Sequence, residues 1–261
     1  MEQHDTLRVA LDVGNGYTKA ALVDIRTPTC IRRETVPTAE ACDRLPGIVE
    51  GFRASAGVNH TKLDITIAAV VQRLHAELNH RLSARARHLH WVRYHPSLGF
   101  SIPYTEPAAL GADRVANLLY CCRTFPRSDT VVVSAGTAIT VDCLAGGTRF
   151  LGGAIMPGLR MQLHSLASAT AQLPALELTP EAPSWCGTST ESCIRAGVMR
   201  GTAGAVSRLV TDQLTHLASG AHVIATGGAW PFLAELVDFD CRYIDELTLL
   251  GTALYPPEEA R

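Results

Sequence analysis

Two Gly-centred hairpin patterns constrain the fold of this chain more than any other feature. The segments VALDVGNGYTKAALV and VVVSAGTAITVDCL each contain an apolar strand, a small polar residue, a Gly turn and a second strand. Gly and Asn tolerate the positive φ values of tight turns, so each segment predicts a β-hairpin. Aligning them puts Asp12 opposite Ser134 and Gly14 opposite Gly136. This self-similarity indicates a duplicated domain. Two unrelated hairpins are the alternative, since such hairpins are common.

The pattern around the hairpins predicts an α/β domain in each half of the chain, residues 1–125 and 126–261. Predicted strands cover 7–13, 17–23, 30–36, 63–70, 90–92, 130–134, 139–144, 150–155 and 222–225. Predicted helices cover 39–54, 72–86, 110–123, 158–168, 190–218, 231–237 and 245–254. Three prolines make the stretch 94–107 a loop.

Composition excludes several classes of protein. A chain of 261 residues with 47% hydrophobic and 18% charged residues is typical of a globular protein with an ample core. A net charge of -2 without a basic patch gives no support for a nucleic-acid partner. No apolar run is long enough to span a membrane, and the N-terminus lacks signal-peptide features, so we expect a cytoplasmic protein. The 8 cysteines form no CxxC and are expected to be buried, reduced side chains.

The two turns suit phosphate binding, because Gly lets backbone N–H groups approach a phosphate without a Cβ in the way. Asp12 is placed to hold Mg²⁺ or its water shell, Asn15 to donate to a phosphate oxygen, and Lys19 to add a point charge. Thr137 offers a hydroxyl and a backbone N–H in the second turn. The candidate residues are Asp12, Val13, Gly14, Asn15, Gly16, Tyr17, Thr18, Lys19, Gly136 and Thr137.

A third Gly turn follows the strand predicted at 222–225. Thr226, Gly227 and Gly228 lie between this strand and a predicted helix, where a flat adenosine could rest against the backbone. Taken alone, a Gly after a strand is more often a simple turn. The order of hairpin, hairpin and Thr-Gly-Gly resembles the superfamily of actin, Hsp70 chaperones and sugar kinases. That resemblance implies two ribonuclease-H-like (actin-like) domains with ATP in a nucleotide cleft between them.

The middle of the chain narrows the resemblance to one family. The segment YTEPAALGADR, residues 104–114, is similar to the YxxPxxLGxDR segment of type III pantothenate kinases. Residues 152–158 match that family's GGxIxPG, 170–174 its TAxLP, and 187–197 its GxxT…G pattern. Together with DxGNxxxK at 12–19, the resemblance covers nearly the whole chain in order. It implies a homodimer that uses ATP and Mg²⁺ to phosphorylate pantothenate in the first step of coenzyme A synthesis.

Chemistry supports roles for two adjacent residues of that segment. Pantothenate carries a carboxylate, which an Arg fork such as that of Arg114 matches through two hydrogen bonds. Asp113 can accept or orient the proton of the primary hydroxyl. Without this context, Asp113 would simply charge the first helical turn, with Arg114 in solvent.

The resemblance implies further substrate contacts and a subunit interface. It adds Tyr104, Gly111, Ala112 and Thr190 as substrate contacts, Thr190 being a candidate to come from the partner subunit. The helices within 158–173 and 190–218 are candidate interface elements, and domain core is an equal alternative.

Two positions depart from the family pattern. Gly16 stands where Ser or Thr is common, so either Thr18 or backbone N–H groups must replace that phosphate contact, or one phosphate bond is lost. Ser134 stands where the family's second loop has an Asp associated with a monovalent cation. A hydroxyl brings no charge and is a poorer ligand than a carboxylate. We therefore expect the K⁺ or NH₄⁺ site to be weakened, absent or occupied differently.

Two other functions are compatible with the same scaffold. One is a regulatory or accessory transcriptional protein, which the changes at Gly16 and Ser134 would fit. The lack of a basic patch or helix-turn-helix signature argues against direct DNA contact. The other is a kinase for a different small hydroxy acid, because the sequence does not reveal the shape of the pocket.

Overall fold

Both predicted hairpins are present, and each opens a five-stranded sheet. The computed structural model describes residues 6–57 and 62–256. These divide into two units, of which the first contains residues up to 126 together with those from 246, and the second contains residues 127–245. The division predicted from the sequence, after residue 125, placed the C-terminal helix in the second half instead.

The first unit holds one mixed sheet with helices on both faces. Its strands are β1 (Leu7–Val13), β2 (Tyr17–Asp24), β3 (Thr29–Pro37), β4 (Asp64–Ala69) and β5 (Leu89–Trp91). Its helices are α1 (Ala41–Ser55), α2 (His75–Ser83), α3 (Ala112–Thr124) and, from the end of the chain, α6 (Leu247–Ala253). Side chains alternate along a strand, so Val9, Leu11 and Val13 enter the core with α1 and α2. The alternate residues Arg8, Ala10 and Asp12 share the opposite face of β1, and the Arg8 guanidinium donates to the carbonyl of Ala253 at 3.0 Å.

The second unit repeats the arrangement. Its strands are β6 (Thr130–Ala135), β7 (Ala138–Ala145), β8 (Arg149–Pro157), β9 (His222–Thr226) and the short β10 (Arg242–Tyr243). Its helices are α4 (Leu159–Ala169) and α5 (Thr190–Leu214). Val131, Val133 and Val141 pack with residues of both helices to form the core.

The strand order confirms the duplication. The first sheet runs β3-β2-β1-β4-β5 and the second β8-β7-β6-β9-β10. In each sheet the first three strands of the unit are antiparallel, and the last two run parallel to the first strand. Two units of this topology are the α/β, ribonuclease-H-like architecture that the sequence predicted.

One predicted helix is wrong, and the short strand β10 (Arg242–Tyr243) was not predicted. The segment 231–237, in which Leu233, Leu236 and Val237 recur at helical spacing, was expected to be helical. The structure has a short 3-10 turn there, Trp230–Phe232, followed by hydrogen-bonded turns up to residue 236 and no α-helix. Within 231–237 only Leu233 is buried, so the apolar stripe is too short to support a helix. No helix among the described residues has the length and apolar character needed to cross a bilayer.

Candidate active site

The tip of the first hairpin is fixed by hydrogen bonds inside the first unit. The N–H of Gly14 donates to the carbonyl of Tyr17 at 3.1 Å, and the carbonyl of Val13 accepts from the N–H of Val70 at 3.2 Å. A Cβ on Gly14 would lie 3.0 Å from the Tyr17 oxygen, which explains the glycine. Val13 is buried, whereas Asn15, Gly16 and Tyr17 are exposed. The predicted phosphate-binding turn therefore presents its tip to solvent on a rigid base.

The side chain of Thr18 points into the unit. Thr18 is fully buried, and its hydroxyl lies 3.0 Å from that of Thr38. A hydroxyl held in this way is not available to replace the Ser or Thr that Gly16 displaces. Two of the predicted alternatives then remain, namely the backbone N–H groups of the turn or the loss of one phosphate bond.

Asp12 lies beside two charged groups of the same unit. It faces Lys19 across the hairpin, and Asp113 is near enough to influence its charge. Burial raises the pKa of Asp12 to about 7, Lys19 lowers it and Asp113 raises it. Asp12 keeps some exposed surface, but the dense protein around its carboxyl group makes desolvation the largest effect. Two neighbouring carboxyl groups supply the hard oxygen ligands that Mg²⁺ prefers, so the residues present fit this ion.

Asp113, Arg114 and Tyr104 form one hydrogen-bonded group at the start of α3. The Arg114 guanidinium donates to the Tyr104 hydroxyl at 2.9 Å, and the N–H of Arg114 donates to Oδ1 of Asp113 at 2.9 Å. Burial raises the pKa of Asp113, although Arg114 lowers it through that hydrogen bond and its charge. Arg114 is only 5% exposed, so the alternative of a solvated arginine is wrong.

The glycine before this helix has a steric reason. A Cβ on Gly111 would lie 2.7 Å from Oδ1 of Asp113, so the carboxyl group occupies the space that a side chain would need. Ala112, also predicted as a substrate contact, is the first residue of α3. The LGxDR pattern thus folds the carboxyl group back over its own helix start.

In the second unit the turn at Gly136 and Thr137, the start of α4 at Gly158 and the turn at Gly227 meet at the ends of β6, β8 and β9. The N–H of Gly136 donates to Ala138, that of Gly158 donates to Thr137 and that of Ala229 donates to Ala135, at 2.9–3.0 Å. Cβ atoms on Gly158 and Gly227 would each lie 2.3 Å from a backbone oxygen of this turn, and Gly227 has φ +96. Gly136, Thr137 and Gly228 are exposed, while Thr226 is buried. The Gly residues therefore allow close backbone packing around the turn.

Ser134 has hydroxyl neighbours on its own face of the sheet. It pairs with Thr140 on β7 and with Thr226 on β9. Residues directly opposite on paired strands project to the same side, so the position offers neutral oxygens from these partners and no carboxylate. The two strand partners of Ser134 therefore bring no negative charge to this position. Thr190, the remaining predicted contact, is exposed in the first turn of α5, where Ser189 and Ser192 form a capping box.

Another group of potential metal ligands in the first unit is better explained as an ion pair. Ligand atoms of Asp64, His88 and His90 lie within 4.8 Å of one another. However, Arg87 donates to both oxygens of Asp64 at 2.9 Å, and Nδ1 of His88 lies 2.9 Å from Oδ1. A guanidinium that binds both oxygens of a carboxylate repels a cation. The group therefore acts as an ion pair, and it joins the start of β4 to the segment before β5.

This ion pair predicts a loss of stability in acid. Burial would raise the pKa of Asp64, but hydrogen bonds from Arg87 and His88 outweigh it and lower the pKa to about 2. A lowered pKa stabilises the fold above the unfolded-state value near 4, and this stabilisation is lost as pH falls toward 2. Asp64→Asn should therefore cost about 2 kcal/mol at pH 7 in urea unfolding, and the difference from wild type should vanish near pH 2.

The exposed pair of Glu77 and Arg81 on α2 gives a control. Glu77→Gln should change the free energy of unfolding by less than about 0.5 kcal/mol at either pH. A difference between Asp64→Asn and wild type that stays constant from pH 7 to pH 2 would contradict the assignment.

The sequence did not identify Thr38 or explain Gly158. Both follow a proline at the end of the third strand of their unit, and both donate a backbone hydrogen bond to the adjacent hairpin tip, to Gly16 and Thr137 respectively. The repeated Pro37-Thr38 and Pro157-Gly158 steps, set beside the hairpin repeat, were the available signal.

Comparison with known proteins identifies a family model and relatives that carry the same description. The family model described as type III pantothenate kinase matches residues 8–212. A type III pantothenate kinase of Janthinobacterium sp. (strain Marseille) is 32% identical over 248 residues, covering 92% of this chain and 94% of the relative. One from Rubrobacter xylanophilus is 31% identical over 255 residues, covering 93% and 94%.

A solved structure supports the fold. A conserved protein of Campylobacter jejuni, assigned to the Baf family of transcriptional activators, aligns with TM-score 0.58 at 21% identity. The alignment covers 94% of each chain. At this identity the likeness concerns the fold alone, so it lends no support to the regulatory alternative.

Proposed function

Since this chain belongs to the type III pantothenate kinase family, we propose that it transfers the γ-phosphoryl group of ATP to the primary hydroxyl of pantothenate. The products are 4′-phosphopantothenate and ADP, and the reaction begins coenzyme A synthesis. The observation that carries the proposal is the buried Arg114, hydrogen-bonded to Tyr104 and adjacent to the carboxyl group of Asp113.

Arg114 is proposed to bind the carboxylate of pantothenate. A guanidinium that is 5% exposed has lost most of its hydration, so an anion that reaches it gains strong charge-assisted hydrogen bonds. Tyr104 holds one guanidinium nitrogen and thereby orients the fork. Gly111, Ala112 and Thr190 are proposed as further substrate contacts.

Asp113 is proposed to orient the primary hydroxyl and to accept its proton as the phosphoryl group arrives. The N–H of Arg114 fixes the carboxyl group at the start of α3, so its direction is set before substrate binds. Asp12, with a pKa near 7, is proposed to hold Mg²⁺, which would favour the ionised carboxylate. The ion would neutralise charge on the β- and γ-phosphates.

The backbone turns are proposed to bind ATP. Residues 12–19 in the first unit and Gly136 and Thr137 in the second would contact phosphates, with N–H groups and Lys19 as donors. Thr226, Gly227 and Gly228 would contact adenosine. The close packing of Gly227 against Ala135 supports a shared site for the turn at Gly136 and the turn at Gly227, because their backbones lie directly against each other.

The assembly and location of the enzyme are also proposals. Large apolar side chains are exposed on the second unit, with Ile155 at 65% and Trp185 at 85%, as expected for a surface that a second copy covers. We propose a homodimer, and a monomer in sedimentation equilibrium would contradict it. All 8 cysteines are free, which fits the reducing cytoplasm where ATP is available. Only Cys121 and Cys143 are buried, so the expectation that the cysteines would be buried is wrong for the others.

An assay with a matched pair of substrates tests the function. Purified protein with ATP and Mg²⁺ should form ADP and phosphopantothenate when pantothenate is added. The alcohol analogue, with CH₂OH in place of the carboxylate, has the same reacting hydroxyl but nothing for Arg114 to pair with. We expect its kcat/KM to be at least about tenfold lower.

The same assay tests the cation. Because Ser134 and its strand partners Thr140 and Thr226 bring no carboxylate to this position, replacing Na⁺ with K⁺ or NH₄⁺ should change the rate by less than about threefold. Absence of ADP formation with every cation would overturn the proposed function. If pantothenate and its alcohol analogue were phosphorylated equally well, the chain would still be a kinase, but Arg114 would not bind the carboxylate.

A further inference from the structure

We propose that Thr38 is a positioning residue for the phosphates of ATP, acting through the first turn without touching the nucleotide. This inference rests on the proposed function of that turn. Thr38 follows Pro37 at the end of β3 and is 2% exposed. It lies 24 residues after Gly14 in the sequence, and its side chain meets the inner side of the hairpin tip.

Thr38 holds the turn at two carbonyl groups. Its hydroxyl donates to the carbonyl of Gly14 at 2.7 Å, and its N–H donates to the carbonyl of Gly16 at 3.0 Å. A hydroxyl has a single proton, so the 3.0 Å contact with Thr18 is donated by Thr18. The result is a buried chain from the Thr18 hydroxyl through the Thr38 hydroxyl to the Gly14 carbonyl.

Holding these carbonyls sets the direction of the next N–H groups. In a trans peptide the C=O and the following N–H point in opposite directions, and the described residues contain no cis peptide. Fixing the carbonyls of Gly14 and Gly16 toward Thr38 therefore turns the N–H groups of Asn15 and Tyr17 away from Thr38. These belong to the exposed tip, where a phosphate would bind.

The second unit shows why a side chain is needed in the first. The corresponding Gly158 donates only its N–H, to the carbonyl of Thr137, and has no room for a Cβ. The second turn has one residue between Gly136 and Ala138, whereas the first has two between Gly14 and Tyr17. The longer turn has one more peptide group to orient, and the Thr38 hydroxyl supplies the additional hydrogen bond.

Substitutions at position 38 test the inference. Thr38→Val keeps the shape but removes the donor, so the KM for ATP should rise about tenfold, while the KM for pantothenate stays within about twofold. Thr38→Ser keeps the hydroxyl and should retain the wild-type KM for ATP. Thr38→Cys, with a weak donor, should lie between them.

A matched control separates positioning from stability. Thr252 is a fully buried threonine of the same unit whose hydroxyl donates to the carbonyl of Thr248 within α6. Thr252→Val should lower the melting temperature as Thr38→Val does, yet leave both KM values unchanged. If Thr38→Val does not fold, Thr38→Cys provides the measurement.

The possible outcomes distinguish the proposed kinase function from the proposed role of Thr38. A wild-type protein that does not phosphorylate pantothenate would remove the proposed function itself. An active wild type, with a folded Thr38→Val or Thr38→Cys variant that has an unchanged KM for ATP, would overturn the role of Thr38 alone. A rise in both KM values in every variant, including Thr252→Val, would also overturn it.

Discussion

Replacing Asp113 with Asn should lower kcat by about 100-fold or more and leave the protein folded. The amide cannot accept the hydroxyl proton of the substrate, but its oxygen can still accept the N–H of Arg114 that Oδ1 accepts now. The start of α3 and the orientation of Arg114 are therefore preserved. The KM for pantothenate should change much less than kcat. Initial rates of ADP formation and circular dichroism measure the two effects.

Asp43 offers the control for this substitution. It is an exposed acid in the first turn of α1, as Asp113 is a partly buried one in the first turn of α3. Asp43→Asn should change kcat by less than about twofold, since a surface charge in this position contributes little. If Asp113→Asn retained a rate within threefold of wild type, Asp113 would have no role in proton transfer.

The second large effect is structural. Gly251→Ala should destabilise the first unit by about 3 kcal/mol, because α6 crosses α3 at this glycine. A Cβ there would lie 1.9 Å from the carbonyl oxygen of Ala116 and 2.5 Å from its carbon. Backbone atoms cannot rotate away as a side chain can, so the two helices must separate. The expected fall in melting temperature is roughly 6–12 °C.

Gly51 separates this clash from the general effect of alanine in a helix. It lies within α1 of the same unit, and a Cβ there would meet no atom within 4 Å. Gly51→Ala should leave stability unchanged or raise it by up to about 1 kcal/mol, because alanine is the better helix former. If Gly251→Ala and wild type had equal melting temperatures, α3 and α6 could separate at Gly251 without a loss of stability.

Local patterns were sufficient to predict the two turns and every described strand except the short β10. The alternation around Gly14 and Gly136 is set by neighbours in the sequence, and the structure reproduces both hairpins and their strand order. The helix expected at 231–237 failed for the opposite reason. Its spacing was right, but the burial that would stabilise it depends on contacts with the rest of the second unit.

Features that depend on distant residues were beyond sequence reasoning. The hydrogen bond from Thr38 to Gly14 and the contact of Gly251 with Ala116 join segments that no periodicity relates. Burial of Arg114 was also unpredictable, because an arginine at a helix start is usually solvated. The motif identified Asp113 and Arg114 as candidates, and the structure adds their orientation, their hydrogen bonds and the reason for Gly111.

The return of α6 to the first unit has a consequence for synthesis on the ribosome. The segment that packs against β1 and α3 is translated only after all of the second unit. The second unit can therefore finish folding before the first, although the first is translated earlier. Until α6 is translated, the residues of β1 and α3 that it buries are not covered by it. A nascent chain stopped before residue 246 would carry a second unit with all its elements and a first unit without its last helix.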